Sequence, residues 1–181
     1  MARYRASGWL DRRLVLGPSP IHGGGLFAQA PSAVGEVVIV RGGMLFDDAD
    51  IAAGRVAAGS TVAVGEVLYL GSAVGTYVRK RDDLGDCINH SCDPNVWLRD
   101  EVTSVTRDGI AAGEELTMDY AMFQAREEHV TDWRRRCGSP LCRSIVTGRD
   151  WRLPTLQERY AGHFSPFLNE RIRRRRAEER C

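Results

Sequence analysis

The chain has 181 residues, 43% hydrophobic and 27% charged, a length and composition suited to one globular domain with a real core. A formal net charge of +1 gives no whole-molecule field for nucleic acid, and no apolar run of about 18 residues is present to cross a membrane. Of the 25 basic side chains only Lys80 is lysine, a bias read as GC-rich coding and not as a phosphate-binding device.

The opening stretch, MARYRASGWLDRRL, lacks the apolar middle of a signal peptide, so a cytoplasmic protein is expected. Residues 13 to 46 read as short strands: LVLGPSP and EVVIVRGGMLF carry β-branched and apolar residues broken by Gly and Pro. DDADIAAGRVAAG opens on an Asp cap and predicts a short helix. TVAVGEVLYLGSAVGTYV reads as paired strands with glycine at the bends. VWLRDEVTSVTRDGI predicts a hairpin turning at Asp108-Gly109. QAREEHVTDWRRR is a charged stretch, and LPTLQERYAGHFSPFLNERIRRRRAEER predicts two helices, one starting at Pro154 and one at Pro166. Five cysteines, an odd count, argue for free thiols or a metal over a disulfide framework.

CINHSCDPN, Cys87 to Asn95, crowds Asn, His, Ser and Asp side chains around one ordinary core residue, Ile88. Read locally it is an Asx-type turn capping a strand. A segment threaded through an interior makes the same demand on a larger scale, because each backbone N–H and C=O there needs a protein partner and these side chains supply them.

NHSCDPN followed by GEELTMDY (Gly113 to Tyr120) resembles the two signature segments of the SET-domain protein-lysine methyltransferases. HGGGLFA (His22 to Ala28), with VGEVV after it, is similar to the family's N-terminal glycine motif; alone it also fits a plain hairpin turn. CGSPLCR (Cys137 to Arg143) resembles the Cys-rich post-SET segment. The resemblance implies a mainly β protein with short helices: a SET-domain β-clip fold with a knot-like core and a C-terminal helical tail. It implies a SET domain over 12–124, a post-SET-like segment over 125–148 and a helical extension over 149–181. Compactness and the arginine bias point to a bacterial protein.

The family's donor is S-adenosyl-L-methionine. The resemblance places Gly23, Gly24, Gly25 and Leu26 against it through bare backbone, with Asn89 and His90 at its amino-acid end and adenine. Phe123 or Trp133 would cover the adenine. Tyr120 lines the transfer site as the catalytic residue, while Asp119 and Glu115 fix local structure. Neutralising a lysine at pH 7 costs roughly 4.6 kcal/mol, and the motifs hold no strong base. The positive sulfonium and an apolar channel lower that cost by disfavouring a second charge. Met118 stands where the family lines the lysine channel, often with Phe or Tyr, and its missing hydroxyl suggests more than one methyl addition.

Cys92, Cys137 and Cys142 match three of the family's four zinc ligands, but Arg135 replaces the fourth. The alternatives are a zinc ion completed by a His or Cys181, and three reduced thiols packed as small hydrophobes. The expected partner is a protein presenting a lysine, with no membrane and no nucleic acid. The run Arg171 to Arg176 reads as a solvated helix end pairing with nearby Glu, and an acidic partner is the alternative. Loops within 47–85 are expected to read the substrate. A catalytically silent SET-fold binding module is the competing functional reading.

Overall fold

Strands Trp9–Leu10 (β1), Leu14–Pro18 (β2) and Gly24–Ala28 (β3) open the chain. The computed structural model describes residues 4–57, 60–75, 85–132 and 137–179. In β2 Leu14 is buried, Val15 and Gly17 are partly buried, and Leu16 and Pro18 are exposed, so the strand starts in the core and ends at the surface. It pairs antiparallel with β3, from Leu14 opposite Ala28 to Pro18 opposite Gly24. Gly23 closes the turn at φ 52°, a left-handed conformation in which glycine has no Cβ penalty.

Val37–Val40 (β4) and Met44–Asp47 (β5) follow, then a short helix, Asp48–Ala52 (α1). Asp47 caps this helix as the sequence predicts: its side chain accepts from Asp50 N, and Asp50 reaches back to the cap backbone. Val62–Ala63 (β6) and Leu68–Gly71 (β7) complete a small sheet of order β5-β7-β6. The expected substrate-reading region lies partly in this sheet and partly outside the described residues.

Asn89–His90 (β8), Val96–Leu98 (β9), Thr103–Thr106 (β10) and Glu115–Met118 (β11) form the centre. The main sheet runs β1-β4-β10-β9-β11-β3-β2, with β8 paired onto β11. The β9–β10 hairpin exists, but it turns earlier than the sequence predicts. Asp100, not Asp108-Gly109, sits at the bend, where its carboxylate accepts from Val102 N (3.0 Å) and Thr103 N (2.8 Å). An Asx turn therefore outcompetes the Asp-Gly pair, and the chain beyond Thr106 leaves to bridge Ile110 to Ser32.

Val130–Asp132 (β12) pairs with Ile145–Thr147 (β13), and Pro154–Arg159 (α2) and Pro166–Glu178 (α3) end the described chain. Proline stands in the first turn of both helices, where its missing N–H costs nothing. The helices are not a loose tail. Trp151, Leu156, Tyr160, Phe164, Leu168 and Ile172 join Leu14, Leu26, Val38 and Leu116 in one hydrophobic cluster. His163 stacks on Trp97 at 3.4 Å and bonds to Leu98 O through Nδ1 at 2.8 Å, so it serves packing. On α3, Arg171 and Arg174 pair with Glu66, Arg173 with Glu170 and Arg175 with Glu179.

Candidate active site

The four residues of β11 find three strand neighbours along their length. Glu115 and Leu116 pair antiparallel with Phe27 and Leu26 of β3; Thr117 and Met118 pair parallel with Asn89 and His90 of β8; Met118 also faces Val96 of β9. A backbone so enclosed must find all its partners in protein, and the polar crowding of the NHSCDPN segment supplies them. Asn95 accepts from Thr117 N through Oδ1 (2.8 Å) and donates to Glu115 O through Nδ2 (2.9 Å). Ser91 N donates to Met118 O (3.2 Å), and Ser91 Oγ accepts from Asp93 N (3.1 Å).

At the N-terminal end of β11 the Asn89 side chain faces the glycine turn. Its Nδ2 lies 3.1 Å from Gly24 O, 3.2 Å from His22 O and 2.8 Å from Glu115 Oε1. Ser19 Oγ donates to the same carboxylate at 2.8 Å. A Cβ on Gly25 would collide with Glu115 Oε1 and stand 3.1 Å from Asn89 Nδ2. Gly25 is thus glycine so that Asn89 and Glu115 can meet. Around Gly23 a Cβ would find nothing within 4 Å, which leaves open backbone beside the Asn89 amide. The Leu26 side chain is fully buried in the core, so only its backbone can reach a ligand.

At the C-terminal end stand His90 and Tyr120. Their ring centroids lie 5.3 Å apart edge to face, and the Phe123 ring is 5.5 Å from that of Tyr120. Tyr120 N donates to His90 Nδ1 at 3.3 Å, and the Tyr120 hydroxyl donates to Ile88 O at 2.9 Å. Burial pushes the Tyr120 phenol up to about 12, so it is a neutral donor at working pH, not a base. Desolvation lowers His90 to about 4. With Nδ1 accepting, its proton sits on Nε2, 3.2 Å from Cys92 Sγ. Met118 is 1% exposed and packs in the same core.

Sequence reading missed the buried cluster that holds this end. Asp119, fully buried, takes both arms of the Arg143 guanidinium at 2.7 Å each. Its Oδ2 accepts from Tyr160 OH (3.1 Å) and its Oδ1 caps the 3-10 turn Tyr120–Met122 through Ala121 N (3.0 Å). Arg143 Nε reaches on to Asp150 at 3.0 Å. Arg143 was visible only as the last letter of CGSPLCR, and no spacing announces Asp150 or Tyr160.

Of the expected thiol set, Cys92 and Cys137 come together with His90, their ligand atoms all within 4.8 Å of one another. Cys142 is not in that group. Burial pushes the Cys92 thiol up to about 12. Among the described residues this set falls one donor short of the four that a structural zinc ion takes. Trp133, Arg135 and Cys181 lie outside the described residues.

The family model that matches this chain is that of the SET domain, over residues 23–121. Arabidopsis thaliana histone-lysine N-methyltransferase ATX2 is 34% identical over 157 residues, covering 75% of this chain and 13% of the relative. Histone H3-lysine(4) N-trimethyltransferase ATX1 of the same plant is 32% identical over 155 residues, with the same coverage of each. Drosophila melanogaster histone-lysine N-methyltransferase ash1 is 30% identical over 108 residues, 52% of this chain and 5% of the relative. The chain thus spans about 13% of the length of the two plant relatives. With the interlaced β8 and β11 carrying both signature segments inside the matched region, the chain belongs to the SET-domain family.

Proposed function

We propose that this chain transfers methyl groups from S-adenosylmethionine to a lysine amine of a protein substrate. One observation carries the reading: parallel pairing of β8 with β11 brings His90 into ring contact with Tyr120 while Asn89, on the same strand, faces the glycine turn. The residues present fit the donor. Gly23 offers open backbone, Asn89 an amide, and Phe123 a partly exposed ring beside Tyr120.

The donor, when bound, presents a sulfonium methyl to a neutral amine; the N–C bond forms as the S–C bond breaks, and the amine's surplus proton goes to solvent. The protein's part is orientation and exclusion of charge. Tyr120, held as a phenol, can polarise and align but cannot take the proton. His90, held neutral by desolvation, adds no competing positive charge.

The experiment is calorimetric binding of S-adenosylmethionine followed by radiolabelled methyl transfer to histone H3 and to cell lysate. Binding with labelling on lysine is expected. Binding without labelling of any protein would make the chain a donor-binding module; no binding would overturn the assignment altogether.

A further inference from the structure

The matched SET span ends at residue 121, yet the groups that fix the turn carrying Tyr120 come from beyond it. Arg143 grips Asp119 with both guanidinium arms at 2.7 Å, and Asp150 holds Arg143 Nε at 3.0 Å. Thr147 in turn donates to Asp150 at 2.6 Å, and Tyr160 donates to Asp119 at 3.1 Å. Ser144 takes φ 65° just after Arg143, a left-handed conformation uncommon for a non-glycine residue. The backbone accepts this strain at the residue next to the inward-pointing guanidinium.

We propose that Arg143 is a positioning residue for Tyr120, acting through Asp119, so that the segment from Arg143 to Tyr160 completes the transfer site. The inference rests on the methyl-transfer reading for its kinetic meaning, but its geometry stands apart from it. A buried ion pair is a poor way to gain stability, since apolar side chains of similar volume usually do as well or better. What a two-armed fork on a carboxylate provides is direction. Asp119 precedes Tyr120, caps its turn through Ala121 N, and sits 3.8 Å from His90 Nδ1, the atom that accepts from Tyr120 N. Rotation of Asp119 would therefore move both the Tyr120 backbone and the ring packed against it. A displacement of about 1 Å at a transfer site costs on the order of 100-fold in rate.

The test compares the full chain with Arg143→Gln, Arg143→Lys and, as a control, Arg149→Gln, whose exposed partner is Glu127. The first readout is the ring signal of Tyr120 in 13C-tyrosine NMR, assigned with Tyr120→Phe. Arg143→Gln is expected to shift or split that signal in a chain whose far-UV dichroism remains folded. Arg143→Lys, which keeps the charge but not the fork, is expected to fall between, and Arg149→Gln to match wild type. The second readout is turnover of tritiated S-adenosylmethionine on recombinant histone H3: kcat falling about 10- to 100-fold with KM for the donor within about twofold. An unmoved Tyr120 signal in folded Arg143→Gln overturns the proposal, whatever the activity. If Arg143→Gln does not fold, Arg143→Lys carries the same decision. Should the wild type neither bind donor nor label protein, the methyl-transfer reading fails, and the NMR readout still decides the positioning role.

Discussion

The two carboxylates that bracket the candidate site, Glu115 on β11 and Asp119 just after it, are held in opposite ways. Glu115 is met by neutral donors, the Ser19 hydroxyl and the Asn89 amide, beside a turn with open space at Gly23. Asp119 is met by a charged fork and a phenol in a site with no exposure. Hydrogen bonds from neutral donors to a carboxylate at a partly wet edge are each worth about 1.5–3 kcal/mol and can exchange with water. A buried charge pair cannot be loosened by halves. The glycine end is therefore built to adapt to a ligand, and the tyrosine end is built to stay fixed.

The largest expected effect breaks the fixed end. Asp119→Asn takes the carboxylate from both arms of the partly buried Arg143 fork, leaving Asp150 on Nε alone, and should cost about 3–5 kcal/mol in urea unfolding; a cost under about 1 kcal/mol would show that the pair is replaceable. Next comes acid. Desolvation depresses His90 from 6.5 to about 4 in the folded chain, so the unfolded state binds the proton first. Stability is full above pH 6.5 and falls as pH drops toward 4, by about 3 kcal/mol in all. Unfolding midpoints across this range, compared with His90→Gln, should lose that slope in the variant. At the adaptable end Gly25→Ala pushes a methyl into Glu115 and Asn89 and should cost about 1–3 kcal/mol, with weaker donor binding by calorimetry. The smallest effect lies outside both ends: Glu66→Gln removes exposed pairs with Arg171 and Arg174 and should change stability by less than about 1 kcal/mol.

The adaptable end was legible in the sequence and the fixed end only in part, for a physical reason. Asn89 and Gly25 lie in motifs whose composition is odd enough to be noticed: glycine where a side chain would collide, polar residues where a core is expected. Tyr120 was singled out by the resemblance of EELTMDY to a family segment, not by its composition. Arg143, Asp150 and Tyr160 are ordinary letters whose meaning comes from long-range folding, which local pattern does not encode. The capping aspartate of α1 and the prolines of α2 and α3 were read correctly because those signals are local. The Asp108-Gly109 turn was misread because Asp100 offers the backbone a stronger local partner. The thiols show the same limit: the family resemblance grouped Cys142 with Cys92 and Cys137, while among the described residues it is His90 that lies with those two.

Methyl transfer by Tyr120→Phe in a single turnover, with the donor's occupancy fixed beforehand by calorimetry, bears most directly on whether interlacing β8 with β11 builds a transfer site. The variant should fold and bind S-adenosylmethionine within about twofold of wild type, yet transfer on the order of 100-fold more slowly. Equal rates at equal occupancy would contradict the account, because the phenol at the crossing would then have no part in the chemistry.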